Sequence, residues 1–586
     1  MTFRAILVAL VVFASAFAIV AAPAAEVAAA PGDGVVKGKI TDAVTGTPLE
    51  NVCVINGPVA AVCWTHSNSV GDYEVVLPGI PSGYATNLQF FRSGYTSASR
   101  DVVVNPNTTQ TLDVQMQPTS PGQPPPSVAP PCSPCLGNPP PAAPPPPTFR
   151  VYLPNVTRML GGRYGWHTPF IVQNVGTANT QLRVEYFKFS DGSLVATRNA
   201  PVLPGRSFVG SPNDEGDLPA DTQFSVVVTS VGSPVVAVVN EHQGGPGVTP
   251  EALSYSGLSA GSTKVSLPLV SKMAGGWLTT MIMQNLGTAT TTVTATFKRL
   301  DQAGTATITR VVQPGRSQFI DPRVEPSLVD GAEYAVTMTA PEPFAVVANA
   351  HNDLPGSPAP MGDSFNGVPS VTQTISYSPY VAKNADGVNR SSRVVIQNAG
   401  TTAAQPSITL TRYGGGTPTT VTTPTIEAGS SWSFVPTVAD GEYSMVVGGG
   451  TFATLTTTIS PLTAMFYTGT STLANKLYMP NVTRVLTQDP VADPGWTTPI
   501  IIQSADATSA TLRWFRFSDG SLVTNQVVTL TPGQATRVDP RSVTGLTNNT
   551  QYAVVLESTQ QVVAIVTELN LSAGDNAMIY KAFLQP

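Results

Sequence analysis

Along most of the chain apolar and polar residues alternate in short runs, the period-two pattern of strands with one face in a core. Val35 to Ile40, Tyr73 to Leu77 and Thr111 to Met116 show it near the start. Leu182 to Phe189, Phe224 to Val228 and Val235 to Val239 show it further on. Gly, Pro, Asn and Asp separate these runs at the spacing of an all-β sandwich. The pattern predicts an all-β chain of tandem β-sandwiches, one over 33–118 and four between 149 and 586.

The four come from an internal repeat, which divides the chain into 149–260, 261–370, 371–471 and 472–586. Each repeat opens on a proline-containing segment: Leu153 to Arg158, Leu267 to Lys272, Ser378 to Lys383 and Met479 to Arg484. The prolines stand 114, 111 and 101 residues apart. Gln173-Asn174-Val175-Gly176-Thr177 recurs at Gln284 and Gln397 and drifts to Gln503-Ser504-Ala505-Asp506. A Gly turn follows at Gly205, Gly315, Gly429 and Gly533, and each repeat closes on an aromatic, Tyr255, Phe365, Tyr467 or Tyr580. Strand-length runs between turns such as Ser190-Asp191-Gly192 predict about eight strands per repeat, an immunoglobulin-like size and rhythm.

Two stretches break the alternation. In 1–24, Arg4 precedes the apolar run Ala5 to Val20, and Ala22-Pro23-Ala24 is a small-x-small site, which reads as a cleaved secretory signal peptide. From Pro118 to Thr148, 15 of 31 residues are proline. Proline fixes φ and removes the amide donor, so 119–148 is expected to be an extended linker with no place in a helix or a sheet interior.

Gly38-Lys39-Ile40-Thr41-Asp42-Ala43-Val44-Thr45-Gly46-Thr47-Pro48-Leu49, with Gly71-Asp72-Tyr73 and Ser93-Gly94-Tyr95, resembles the carboxypeptidase regulatory-like domain. That resemblance implies a small transthyretin-like sandwich over 33–118 and no catalysis, since the family accompanies peptidases, receptors and surface proteins as a non-catalytic module. In this sequence Gly precedes Asp before the first Tyr, the reverse of the family's usual order. In the repeats, the Asn-x-Gly-Thr turn, the alternating strand and the Pro-Gly-x-Ser turn resemble bacterial adhesion-type immunoglobulin-like domains of cell-surface proteins.

Composition narrows the function. Charged residues make up 11% of the 586 positions, with 30 basic against 36 acidic, so there is no basic field to hold a phosphate backbone. At 42% apolar the chain can fill several cores and is not disordered. Export puts the cysteines in an oxidising compartment. Cys53 and Cys63 flank a Gly57-Pro58 turn and suit a disulfide across a hairpin; Cys132 and Cys135 lie in the proline tract, where a redox helix cannot form. A local disulfide or a crosslink between chains suits that second pair.

Candidate chemistry is sparse. Gly257-Leu258-Ser259-Ala260-Gly261 matches a nucleophile elbow in letters, but an elbow needs a helix after the Ser, and here the chain runs into the next repeat's first strand. His242 and His351 end equivalent strands and read as solvated strand ends. Trp166, Trp277 and Trp496 each stand seven residues before the landmark Gln, with Arg390 in that place in the third repeat. A recurring Trp suits a sugar platform. Period-two counting favours packing instead, since each shares a face with apolar residues such as Phe170, Met281 or Ile500.

No cofactor, metal set or catalytic set is expected. The sequence reads as a secreted or cell-surface, non-enzymatic structural or adhesive protein. Its partner would be a surface or matrix protein, a glycan or a second copy of itself. The competing reading is a non-catalytic carbohydrate-binding protein that uses the Trp positions or the loops at one sandwich end. Joints of 13 and 14 residues between closing aromatic and next proline predict a stiff row of four sandwiches, a rod.

Overall fold

The computed structural model describes residues 34–56, 65–77, 84–92, 95–118, 147–245, 248–352, 360–487, 494–570 and 574–585. The signal sequence, all but the ends of the proline tract, and Cys63, Cys132 and Cys135 lie outside the described residues. The chain divides into two units, Met1–Gly137 and Asn138–Pro586. Both are all-β, and no helix among the described residues is long and apolar enough to cross a membrane.

The first unit is a pair of four-stranded sheets. In one, Gly34–Asp42 pairs antiparallel with Asp72–Leu77 and parallel with Thr109–Thr111 and Val114–Met116. In the other, the order is Thr65–His66, Cys53–Asn56, Tyr84–Phe91 and Ala98–Val104. Alternate residues Val36, Ile40, Val54, Val75 and Phe90 fill the core between them. Gly38 is needed where it stands, because a Cβ would lie 2.0 Å from the Leu112 carbonyl oxygen. The Asp42 carboxylate accepts the amides of Val44 and Thr45 and the Tyr95 hydroxyl at 2.8 Å, tying two of the motif segments together. Gly71 has φ +83°, a left-handed position that puts Gly before Asp in this turn. Cys53 is half of a disulfide.

Each repeat of the second unit is built from two sheets in one order. In the first repeat they run Ser207–Gly210, Phe170–Asn174, Val235–Gly245, Val248–Ser256 and Leu194–Val202, Thr180–Lys188, Thr222–Val231, Thr148–Arg158. In the second and fourth, one long strand, Ala332–Asn352 or Gln551–Asn570, passes through both sheets and joins them. The opening prolines sit at a bulge of the first strand, where pairing skips between Leu267 and Val270 or between Met479 and Val482. Proline has no N–H for a ladder, so a bulge is where a strand accommodates it.

The four sandwiches do not form a rod. The last strands, Val248–Ser256, Met361–Asn366, Ala464–Thr468 and Ala577–Lys581, hydrogen-bond to one another around a common axis. The first repeat also packs on the fourth, with Ile171, Val175, Val236 and Val238 sharing one apolar cluster with Leu477, Ile502 and Val562. The second unit is a closed ring of four. Short joints fix the angle between neighbours but not its value, and here successive turns add up to closure.

Candidate functional site: the repeat junctions and the axis

The recurrent landmarks build the junctions. Asn174 holds its own turn, with Nδ2 donating to the Ala178 and Val202 carbonyls and Oδ1 accepting the Gly176 amide. Asn285 and Asn398 repeat this set, and Ser504 keeps one bond of it. The Gln before it reaches the preceding repeat: Gln284 Nε2 to the Val226 carbonyl, Gln397 to Val336, Gln503 to Met445. The Gly turns abut the same neighbour. Arg316 Nε donates to the Gly192 carbonyl at 2.5 Å, its guanidinium 3.6 Å from the Phe187 ring centre. Lys298 reaches Ala428, Ser444 reaches Gly533, and Arg206 reaches Asp519, so the last contact closes fourth repeat to first. The seam is looser there, since Gln173 finds no protein partner for either amide atom.

Trp166, Trp277 and Trp496 are each half-buried at a junction. Trp496 meets His242 edge-on at 5.8 Å, Trp166 meets His351 at 5.3 Å, and Trp277 lies 5.1 Å from Phe466. They pack on the following repeat. His242 and His351 are therefore half-buried wedge partners, and reading them as solvated strand ends is corrected. Burial pushes His242 down to about 3, so it is neutral. Arg390, in the corresponding place of the third repeat, is 6% exposed and pairs with Asp386 at 3.0 Å.

Beneath the tryptophans lie buried carboxyls. Glu241 Oε2 accepts from Asn155 at 2.9 Å and from Asn349 of the next repeat at 3.0 Å. Glu568 takes the same pair, Asn481 at 3.0 Å and Asn240 of the first repeat at 2.9 Å. Both are 2% exposed with only neutral donors, and burial pushes Glu241 up to about 7 and Glu568 up to about 8. Asn155 and Asn481, which begin Asn-x-Thr sequences, have their amides inside. Between the fourth and first repeats a cleft of about 560 Å³ has Trp496, His242, Asn481, Gln551 and Glu568 in its lining.

At the axis the four last strands are edge strands, whose outward N–H groups need acceptors. Asp363 supplies them: Oδ1 accepts from Ser254 of the first repeat at 3.1 Å and Oδ2 from Phe466 of the third at 2.7 Å. Asp575 accepts from Gly362 at 2.7 Å and Ala464 at 3.0 Å. Burial raises Asp363 well above the carboxylate range and Asp575 to about 8, against the pull of these amides. One level on, four equivalent residues close a cycle. Asn366 Nδ2 donates to the Ser256 carbonyl (2.7 Å), Thr468 Oγ1 to the Asn366 carbonyl (3.3 Å), Lys581 Nζ to Thr468 Oγ1 (3.0 Å) and Ser256 Oγ to the Lys581 carbonyl (3.4 Å).

The closing aromatics pin each axial strand to its own sandwich. Tyr255 donates to the Asn155 carbonyl at 2.7 Å, Tyr467 to Tyr380 at 2.7 Å and Tyr580 to Asn481 at 2.6 Å, each also receiving that residue's amide. Tyr580→Phe or Tyr255→Phe should cost about 1–3 kcal/mol, because a buried carbonyl and amide lose their partner. Denaturant unfolding measures it, and an unchanged midpoint would contradict this role; Phe365 shows the position itself accepts phenylalanine.

No family model matches the chain. No curated protein matches it either. Among solved structures it is similar to BcpA, the major pilin subunit of Bacillus cereus, at 9% identity over 88% of this chain and 97% of that one, with a TM-score of 0.12. The native conformation of alpha-2-macroglobulin from Escherichia coli is similar at 8% identity over 96% of this chain and 47% of that one, TM-score 0.11. At such scores the assignment of tandem β-sandwiches rests on the strand pairing itself.

Among the described residues no group of three or more His, Cys, Asp or Glu is arranged to hold a metal ion. Ser259 lines a cavity at one end of the axis whose described lining contains no His, Asp or Glu. Sequence reasoning missed Glu241, Glu568, Asp363, Asp575 and Lys581. The signal available was that charged residues stood next to strand-ending apolar runs in a chain with few charges.

Proposed function

We propose that the protein is exported and acts, without catalysis, as a structural or adhesive component of a cell surface or extracellular matrix. The observation that carries this reading is the use of the landmarks: the repeated Gln, Gly-turn and Trp residues join the sandwiches into one compact unit. The disulfide at Cys53 supports an oxidising location. The Asp42–Tyr95 bond supports a carboxypeptidase regulatory-like first module, and the paired four-stranded sheets support immunoglobulin-like repeats.

Fractionation of the native cells should find the protein on the surface or in the medium, and a fluorophosphonate probe should leave Ser259 unlabelled. A cytoplasmic pool, or labelled Ser259, would overturn the reading. A second reading, glycan binding, is favoured by the cleft at Trp496, where an aromatic edge meets Asn481, Gln551 and Glu568. Quenching of Trp fluorescence by soluble neutral glycans would select it.

A further inference from the structure

The axis ends in a cavity of about 460 Å³ that every repeat helps to line: Leu258 from the first, Asn366 from the second, Thr470 from the third and Lys581 from the fourth. Its size is that of a small-molecule site at a domain interface. Inward, it meets the cycle of Ser256, Asn366, Thr468 and Lys581, where the axis narrows to about 10 Å³. The cavity is therefore blind, a cup and not a channel.

Lys581 is the one charged residue among those that line the cup. Among the described residues its ammonium has a single hydrogen-bond partner, the Thr468 hydroxyl, and the three equivalent positions of the cycle are neutral. Ring geometry alone does not call for a cation there. The walls combine apolar surface from Val151, Val236, Leu477 and Phe583 with the hydroxyls of Ser259, Thr372, Ser471 and Thr472, and with the amides of Gln373 and Gln585.

We propose that this cup binds a small polyhydroxylated carboxylic acid, an acidic monosaccharide, with Lys581 as the counter-charge to its carboxylate. A single cation selects one negative charge. The surrounding hydroxyls and amides offer partners to several ligand hydroxyls, and the apolar wall takes the C–H face of a sugar ring. Those hydroxyls favour a sugar over a peptide carboxy-terminus, which would bring one carboxylate and backbone amides but no ring of hydroxyls to the cup. The burial that lowers Lys581 to about 8 agrees with a cation still waiting for a partner, and a bound carboxylate would raise it. This inference stands apart from the adhesive reading, since the cup needs only the closed ring.

The test is calorimetric titration of the full chain at pH 7 with glucuronic acid, and with glucose as the neutral control. Glucuronic acid should bind at least tenfold more tightly than glucose. Lys581→Met and Lys581→Gln, each checked for an unchanged melting point, should lose at least tenfold in affinity. In the wild type, glucuronic acid should protect Lys581 from amine acetylation, a reading that stands even if a variant fails to fold. No binding of glucuronic acid, equal binding by the folded variants, or an unprotected Lys581 would overturn the proposal. So would tighter binding of a short peptide through its free carboxy-terminus, which would assign the cup to another class of ligand.

Discussion

A chain ended at Ser471, without the last repeat, is expected to lose cooperative unfolding in the three repeats that remain. In a row of independent sandwiches the loss of an end module leaves its neighbours almost untouched. In a ring it opens two faces. On the first repeat, Ile171, Val175, Val236 and Val238 lose the fourth repeat's core; on the third, Tyr380, Met465 and Tyr467 lose Ile501, Ile565 and Ile579. Uncovering side chains of this kind costs about 1.5–3 kcal/mol each when complete. Even partial exposure sums to on the order of 10 kcal/mol, the whole stability of an ordinary domain. The Gly362 and Ala464 amides also lose Asp575 as their acceptor. Calorimetry with an apolar dye present measures this, and a truncated chain that melts like the full one would contradict the ring.

Stability should also fall as pH rises from about 5 to about 8. Glu241 and Glu568 start from an ordinary value of 4.5 and are pushed to about 7 and about 8, and Asp575 goes from 3.8 to about 8. Below pH 4 folded and unfolded chains both hold these protons, and the stabilisation is complete. Above it the unfolded chain ionises first while the folded one keeps its protons, so folding weakens until the folded carboxyls titrate. Each pH unit of displacement is worth about 1.4 kcal/mol per group. Two groups run the other way: His242, lowered from 6.5 to about 3, offsets part of the fall up to about pH 6.5, and Lys581, lowered to about 8, favours the folded state only above pH 8. Melting curves should therefore shift down by several degrees between pH 5 and pH 8. Glu568→Gln, which keeps the shape and removes the charge, should flatten part of that slope. A profile that rises over this range would refute the assignment of neutral buried acids.

The sandwiches were legible because their causes are local. Alternation at Leu182 to Phe189, the Asn174 turn and the proline at each bulge all act within a few residues. Closure was not legible, because it depends on contacts such as Asn240 with Glu568, 328 positions apart. Period-two counting put the tryptophans on an apolar face correctly but could not say whose apolar face it was; Trp277 meets Phe466 of the next repeat. Similarly, a Trp position held by Arg390 gives no sign of burial by itself; Asp386 four residues earlier neutralises the charge and allows it. Asp363 and Asp575 carry no mark in the sequence, since only the convergence of four edge strands gives them amides to hold.

The junctions run head to tail, repeat after repeat, and return to their start. That is the geometry of a heterologous interface closing after four copies, so the second unit is arranged like a cyclic tetramer carried on one chain. In an unfused tetramer, any residue on the axis would occur four times at one level, and four lysines would repel one another. Fusion frees the copies to differ. Ser256, Asn366, Thr468 and Lys581 share one level with a single charge among them, an asymmetry that four separate identical subunits could not have made.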